Sequence, residues 1–176
     1  MPHTSATGAG SRPIAHLLAT DHARLDALLQ RAIATPDAID RAAYAEFRAG
    51  LLKHIGMEEK ILLPAAQRAN DGTPLPVAAK LRLDHGALAA LLVPTPTPAI
   101  IAAIRRILTE HNALEEGPDG VYAACERLVG EEAEALLARL QAAPEVPVHA
   151  HVDGERVMDA MRRALARAGH SFDEDS

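Results

Sequence analysis

Two histidine–glutamate pairs in this chain share one spacing. His54 and Glu58 stand four apart in "FRAGLLKHIGMEE", and His111 and Glu115 stand four apart in "IRRILTEHNALEE". Residues four apart lie one above the other on a helix. Two further histidines, His22 in "LLATDHARLDALL" and His85 in "LRLDHGALAALL", each follow an aspartate. All four sit in apolar stripes spaced four, three and four. The stripes are Leu18, His22, Leu25, Leu29; Phe47, Leu51, His54, Glu58; Leu81, His85, Leu88, Leu92; and Ile104, Leu108, His111, Glu115. A stripe of that period faces a helical core. Four imidazoles and two carboxylates therefore point into one interior, where an unpaired carboxylate is costly. A metal centre removes the cost, and imidazole with carboxylate suits iron, manganese or zinc. The duplicated supply suggests two metals, with Glu58 and Glu115 as the bridges.

The elements that must hold these residues repeat as well. The first stripe falls on the third at an offset of 63 residues, and the second on the fourth at 57. The chain reads as two helical hairpins of one plan. Long apolar-periodic segments run over about 13–34, 38–70, 76–93 and 99–116. Thr35 or Asp37 is placed to cap the second segment, and Pro64 should kink or end it. "NDGTPLP" and "PTPTP" are breaks. Shorter helical pieces follow near 121–128 and 131–142. The extended connector "PEVPVHAHVDG" leads to an amphipathic piece over 155–168. The expected fold is all-α: an up-down-up-down four-helix bundle with short C-terminal helical additions. Residues 1–12 are expected as a disordered tail, 13–143 as the bundle with its trailing helices, and 144–176 as connector and C-terminal helix. The stripe of Met158, Met161 and Leu165 is expected to pack on the bundle or on a second copy, as a homodimer would.

Composition agrees and excludes other classes. Apolar residues make up 48% of the chain but aromatics only 2%, so the core must be Leu, Ala, Ile and Val, which favours helices. A net charge of −6 without a basic run argues against nucleic acid. No stretch of 18 apolar residues spans a membrane. The N-terminus lacks a secretory h-region, and the single cysteine, Cys125, forms no internal disulfide. A cytoplasmic location is expected.

The matching motifs, "DHARLDALL" with "HIGMEEKILLPAA" and "DHGALAALL" with "HNALEE", resemble the hemerythrin-like family, or HHE cation-binding domain, over about Ile14 to Cys125. The resemblance implies a four-helix bundle around a non-haem di-iron centre with carboxylate and oxo or hydroxo bridges. It implies binding of O2 or related small molecules, and in some members iron sensing or redox chemistry. Carried over residue by residue, His22, His54, Glu58, His85, His111 and Glu115 match the family's metal ligands. Oxygen-carrying members have a His-x-x-x-His pair on the third helix. Here Ala89 follows His85 by four and Leu81 precedes it by four, so the resemblance implies a di-metal centre without implying reversible oxygen carriage. Water, another carboxylate or an exogenous ligand could take the fifth histidine's place, and an open position would favour activation or reduction of the bound molecule. The implied function is binding or sensing of O2, NO, peroxide or iron. The alternative is a di-iron oxidoreductase that consumes peroxide or NO, and a third reading is a structural bundle with hydrogen-bonded histidines.

Other polar residues carry weaker expectations. Glu59 and Glu116 are turned about 100° from their neighbours, toward the surface or the outer edge of the centre. Asp21 and Asp84 read as surface charges or as partners of imidazole nitrogen. His16 is expected to be exposed. Tyr44 and Tyr122 read as amphipathic packing or as hydrogen-bond donors near a ligand, and Cys125 as core filler. His149 and His151 read as a solvated loop or a surface metal site.

Overall fold

The computed structural model describes residues 12–36 and 38–173. Among these residues there is no strand. Eight α-helices follow one another: α1 (Pro13–Ala32), α2 (Arg41–Met57), α3 (Leu63–Ala69), α4 (Ala78–Leu91), α5 (Pro98–Glu116), α6 (Val121–Val129), α7 (Ala133–Gln141) and α8 (Glu155–Ala168). No described helix is long and apolar enough to cross a membrane. Residues 1–11 of the expected tail and Asp37, one of the two expected caps, lie outside the described residues.

Local chemistry sets the boundaries. Pro13 and Pro98 open α1 and α5 from their first turns, where a missing N–H costs nothing. Thr97 caps α5 through its hydroxyl, which accepts from the Ile100 N–H at 3.2 Å. The cap of α2 is Asp40, whose Oδ1 accepts from the N–H groups of Ala42 and Ala43 at 3.0 Å. Thr35 therefore does not cap this helix; its backbone stands in the preceding turn.

Pro64 does not end the second segment. The rod passes from α2 into α3 through one π turn, Glu58–Leu62, in which the Leu63 N–H reaches back five residues to the Glu58 carbonyl. Proline removes a donor and crowds the carbonyl four residues before it. The wider π turn takes up this disturbance, and the helix continues to Ala69.

Two apolar clusters form the core. One contains Leu25, Leu29, Phe47, Leu51, Leu88 and Ile104. The other contains Ile14, Leu18, Leu62, Leu81, Val121 and Tyr122. Along α1, His22 lies between Leu25 of the first cluster and Leu18 of the second. Along α4, His85 lies between Leu88 and Leu81. A polar layer thus separates two apolar blocks.

The later helices fold back onto this core. Helix α6 packs on α1, α3 and α5, and α8 packs on α4. Glu126 of α6 reaches across the chain, and its carboxylate accepts from the Ile14 N–H at 2.8 Å and the Ala15 N–H at 3.4 Å. It caps the positive end of α1 from another helix. Met161 and Leu165 are buried against the core, so the C-terminal stripe finds its partner within the chain. The connector before α8 is tied down by Arg48, which donates to the Leu92 carbonyl at 2.8 Å and the His149 carbonyl at 2.6 Å.

Candidate metal centre

The six side chains singled out by spacing come together. His22, His54, Glu58, His85, His111 and Glu115 are each between 0 and 6% exposed. Donor atoms of Glu58, His85, His111 and Glu115 lie within 4.8 Å of one another, as do those of His22, His54 and Glu58. Glu58 belongs to both groups. Its Oε1 lies 3.3 Å from His54 Nε2, and its Oε2 lies 3.0 Å from His85 Nε2. Glu115 does the same, with Oε1 at 3.1 Å from His111 Nε2 and Oε2 at 3.5 Å from His22 Nε2. Each carboxylate turns one oxygen to each half.

Every imidazole is held from behind by a carboxylate on a neighbouring helix. His22 Nδ1 lies 2.6 Å from Glu116, His54 Nδ1 2.8 Å from Asp21, and His85 Nδ1 2.7 Å from Glu59. His111 Nδ1 stands 3.5 Å from Asp84, the longest of the four. A carboxylate accepts, so each Nδ1 carries the hydrogen and each Nε2 is directed inward. Three of these carboxylates are gripped in turn by further side chains: Asp21 by Arg24, Glu59 by Arg82, and Asp84 by Lys80 and the His170 ring. His170, from the segment after α8, went unnoticed in the sequence because nothing local marks it.

Sequence reasoning placed Asp21, Asp84, Glu59 and Glu116 between surface and supporting roles. The structure puts all four on imidazole nitrogens. The signal was the doubled dipeptides, Asp-His twice and Glu-Glu twice. A residue one step round a helix from an inward-facing donor points at the adjacent helix.

Four inward Nε2 atoms and four carboxylate oxygens converge with few hydrogens among them. Glu58 Oε2 and Glu115 Oε1 are buried without a hydrogen-bond partner. His85 Nε2 stands 3.0 Å from the first and His111 Nε2 3.1 Å from the second, and the two nitrogens are 3.1 Å apart. Something positive must occupy this layer. Without metal, protons take that role. Burial opposes a charged His54, but Glu58 and Asp21 outweigh it and push its pKa up to about 10. Burial likewise opposes charge on His111, while Asp84 and Glu115 raise it to about 9. His22 goes the other way, to about 4, because burial and the nearby His54 charge disfavour its protonation. Burial and then the charge of Glu58 raise Glu115. Burial also opposes ionisation of Glu58, yet His54 and His85 hold it well below the usual carboxylate range. Mixed imidazole and carboxylate donors, pre-oriented and buried, fit a divalent or trivalent metal.

Tyr122 stands inside this layer. Its hydroxyl lies 2.5 Å from Glu58 Oε1, 3.1 Å from both His22 Nε2 and Glu115 Oε2, and 3.3 Å from His54 Nε2. Of the two readings the sequence left open for Tyr122, packing or a hydrogen bond near a ligand, the structure shows the second. Tyr44 lies elsewhere in the core beside Phe47. Cys125 is buried filler, and His16 is exposed. His149 is exposed, and His151 is half-buried with its ring near Tyr44. Neither joins a cluster of metal-ligating groups among the described residues.

A cleft of about 330 Å³ opens between α1 and α5, with His22, Leu108, Asn112 and Glu116 among its walls. It reaches the outer edge of the His22 ring.

Compared with known families, residues 14–118 match the model for the hemerythrin HHE cation binding domain. No curated protein and no solved structure matches the chain significantly.

Proposed function

The chain belongs to the hemerythrin HHE cation-binding family, and from that premise we propose that it holds a di-iron centre within an up-down-up-down four-helix bundle and binds or senses a small molecule such as O2, NO or peroxide. The carrying observation is the convergence of four Nε2 atoms, each set by a carboxylate behind its ring, on two buried carboxylates that face both ways. His22 and His54 would hold one ion and His85 and His111 the other, with Glu58 and Glu115 shared between the two pairs. Bound iron supplies binding and one-electron chemistry toward such a molecule. The protein's part is to orient the donors, to exclude bulk water from the layer, and to yield the protons of His54 and His111 as metal enters. Zinc and manganese are alternative occupants of the same donor set.

Ala89 stands one turn beyond His85, where oxygen carriers of the family have a fifth histidine. The His85–His111 half therefore has two nitrogen donors and shared carboxylates only, which favours a second reading: turnover of peroxide or NO at an open position. Location in the cytoplasm is part of the proposal.

Metal analysis of full-length protein from iron-replete cells, with an absorption spectrum in air, tests the main reading. Two irons per chain and a near-ultraviolet and visible spectrum are expected. Two zincs in a colourless protein would remove the oxygen chemistry. Absence of any metal would sink the centre itself. Consumption of peroxide or NO beyond one equivalent per centre would select the enzyme.

A further inference from the structure

We propose that Tyr122 is itself a metal ligand, its phenolate oxygen completing the His22–His54 half of the centre and making the two halves unequal. This rests on the di-metal reading above. It goes beyond that reading because Tyr122 lies outside residues 14–118, the part that matches the family model.

The distances carry the argument. Donors at about 2.1 Å from one ion, placed at right angles, stand about 3 Å from one another. Tyr122 Oη keeps that spacing to three donors at once: 3.1 Å to His22 Nε2, 3.1 Å to Glu115 Oε2 and 3.3 Å to His54 Nε2. The fourth, Glu58 Oε1, is at 2.5 Å. Those are the four donor atoms of one half. Among the described residues the group around His85 and His111 adds only Glu58 and Glu115, and Tyr44, the other tyrosine, lies elsewhere in the core, so one half has five donors and the other four.

A phenol has one proton, and the shortest contact assigns it to Glu58 Oε1. His22 Nε2 then faces the same oxygen with no hydrogen between them, because the His22 proton is on Nδ1 against Glu116. That lone-pair contact, with Glu115 Oε2 and His54 Nε2 also at ligand spacing, suits a coordination shell better than a buried phenol.

The backbone fixes the placement. Gly117 and Pro118 end α5 directly after Glu116, and α6 starts at Val121. A Cβ on Gly120 would come within 2.5 Å of the Glu115 carbonyl oxygen and 2.8 Å of its carbon. The chain thus turns against the ligand-bearing end of α5 and delivers Tyr122 two residues later. Glu126, one turn further on, locks α6 to the start of α1. On ligation the Oη–H bond breaks, an oxygen–metal bond forms, and the proton leaves to water. No electron changes hands.

The test uses the full chain loaded with iron and oxidised in air. A ferric phenolate gives a broad visible charge-transfer band and resonance-enhanced tyrosinate vibrations. The chain has only two tyrosines. We expect both signals in the wild type and in Tyr44→Phe, and their complete loss in Tyr122→Phe, which should also hold iron at least about tenfold less tightly. Two bound irons with no tyrosinate vibration in the wild type would overturn the assignment of Tyr122 and leave the di-metal reading standing. Absence of bound metal would overturn both. Should Tyr122→Phe fail to fold, the wild-type vibrations decide alone. If zinc is the occupant, zinc titration should produce the ultraviolet difference spectrum of one ionised tyrosine per chain; its absence overturns the proposal equally.

Discussion

Replacing Asp21 with leucine isolates what the carboxylates behind the imidazoles do. Asp21 Oδ2 accepts from His54 Nδ1 at 2.8 Å, and the aspartate side chain is 18% exposed. A hydrogen bond to a charged acceptor in such a setting is worth roughly 1.5–3 kcal/mol. Since each 1.4 kcal/mol is about tenfold in affinity, its loss corresponds to about a ten- to hundredfold weaker metal. One effect opposes this. In the metal-free protein Asp21 helps hold a proton on His54, whose pKa stands at about 10. At pH 7 the incoming metal must displace that proton, and Asp21→Leu makes the displacement easier. The net loss at pH 7 is therefore expected near about tenfold rather than hundredfold. Asp21→Asn keeps an acceptor and loses only the charge, so it should fall between leucine and wild type. Asp26→Ala serves as control, because Asp26 on the same helix bonds Gln30 instead. The assay is equilibrium competition with a chromogenic chelator at pH 7, with circular dichroism to confirm that each variant is folded. Equal affinity in Asp21→Leu and Asp26→Ala would refute the view that the outer carboxylates set imidazole orientation and basicity.

Four other outcomes are expected. Glu58→Ala and Glu115→Ala should each lose metal from both positions in metal analysis, whereas metal-free Glu115→Gln should melt no lower than wild type, since burial and the Glu58 charge already disfavour that carboxylate. Raised folded-state values of about 10 for His54 and about 9 for His111 contribute stability that is full below about pH 6.5 and lost as pH rises through 9–10; metal-free protein should melt lower at pH 10 than at pH 7, and metal uptake at pH 7 should release protons measurable by calorimetry in buffers of different ionisation heat. Gly120→Ala should cost about 1–3 kcal/mol through its clash with the Glu115 backbone, while Gly86→Ala, with open space at its Cβ, should stabilise α4 by up to about 1 kcal/mol; denaturant melts separate the two. Deleting everything after Ala143 removes buried Met161 and Leu165, at about 1.5–3 kcal/mol each, and should lower Tm.

Periodicity made the helices and the inward-facing residues legible. A four-three-four stripe states which face is inside, and that placed His22, His54, His85 and His111 with Glu58 and Glu115 in one layer. It says nothing of residues one step round the helix, which need the neighbouring helix to give them meaning. Asp21, Asp84, Glu59 and Glu116 were ambiguous for that reason. Tyr122 was less legible still. Its partners lie up to 100 residues away, and the helix that carries it has no counterpart in the repeat. The cap at Asp40 and the π turn before Pro64 were missed because both are local backbone choices that several nearby residues could have made.

The end of α5 has a wider consequence. The two hairpins are written alike up to Glu58-Glu59 and Glu115-Glu116, and then diverge within one residue. Lys60 and Ile61 carry the first hairpin onward through the π turn, whereas Gly117 and Pro118 stop the second. The divergence falls directly beside the polar layer. A scaffold with near-twofold internal symmetry thereby acquires polarity at its centre: on the same side of the polar layer one hairpin continues as a rod and the other returns as a helix, and the two pack on each other. Exchanging the dipeptides Lys60-Ile61 and Gly117-Pro118 would move that polarity without touching one of the six converging side chains. The inequality of the two halves is thus a property of where a helix stops, distinct from the side chains that fill them.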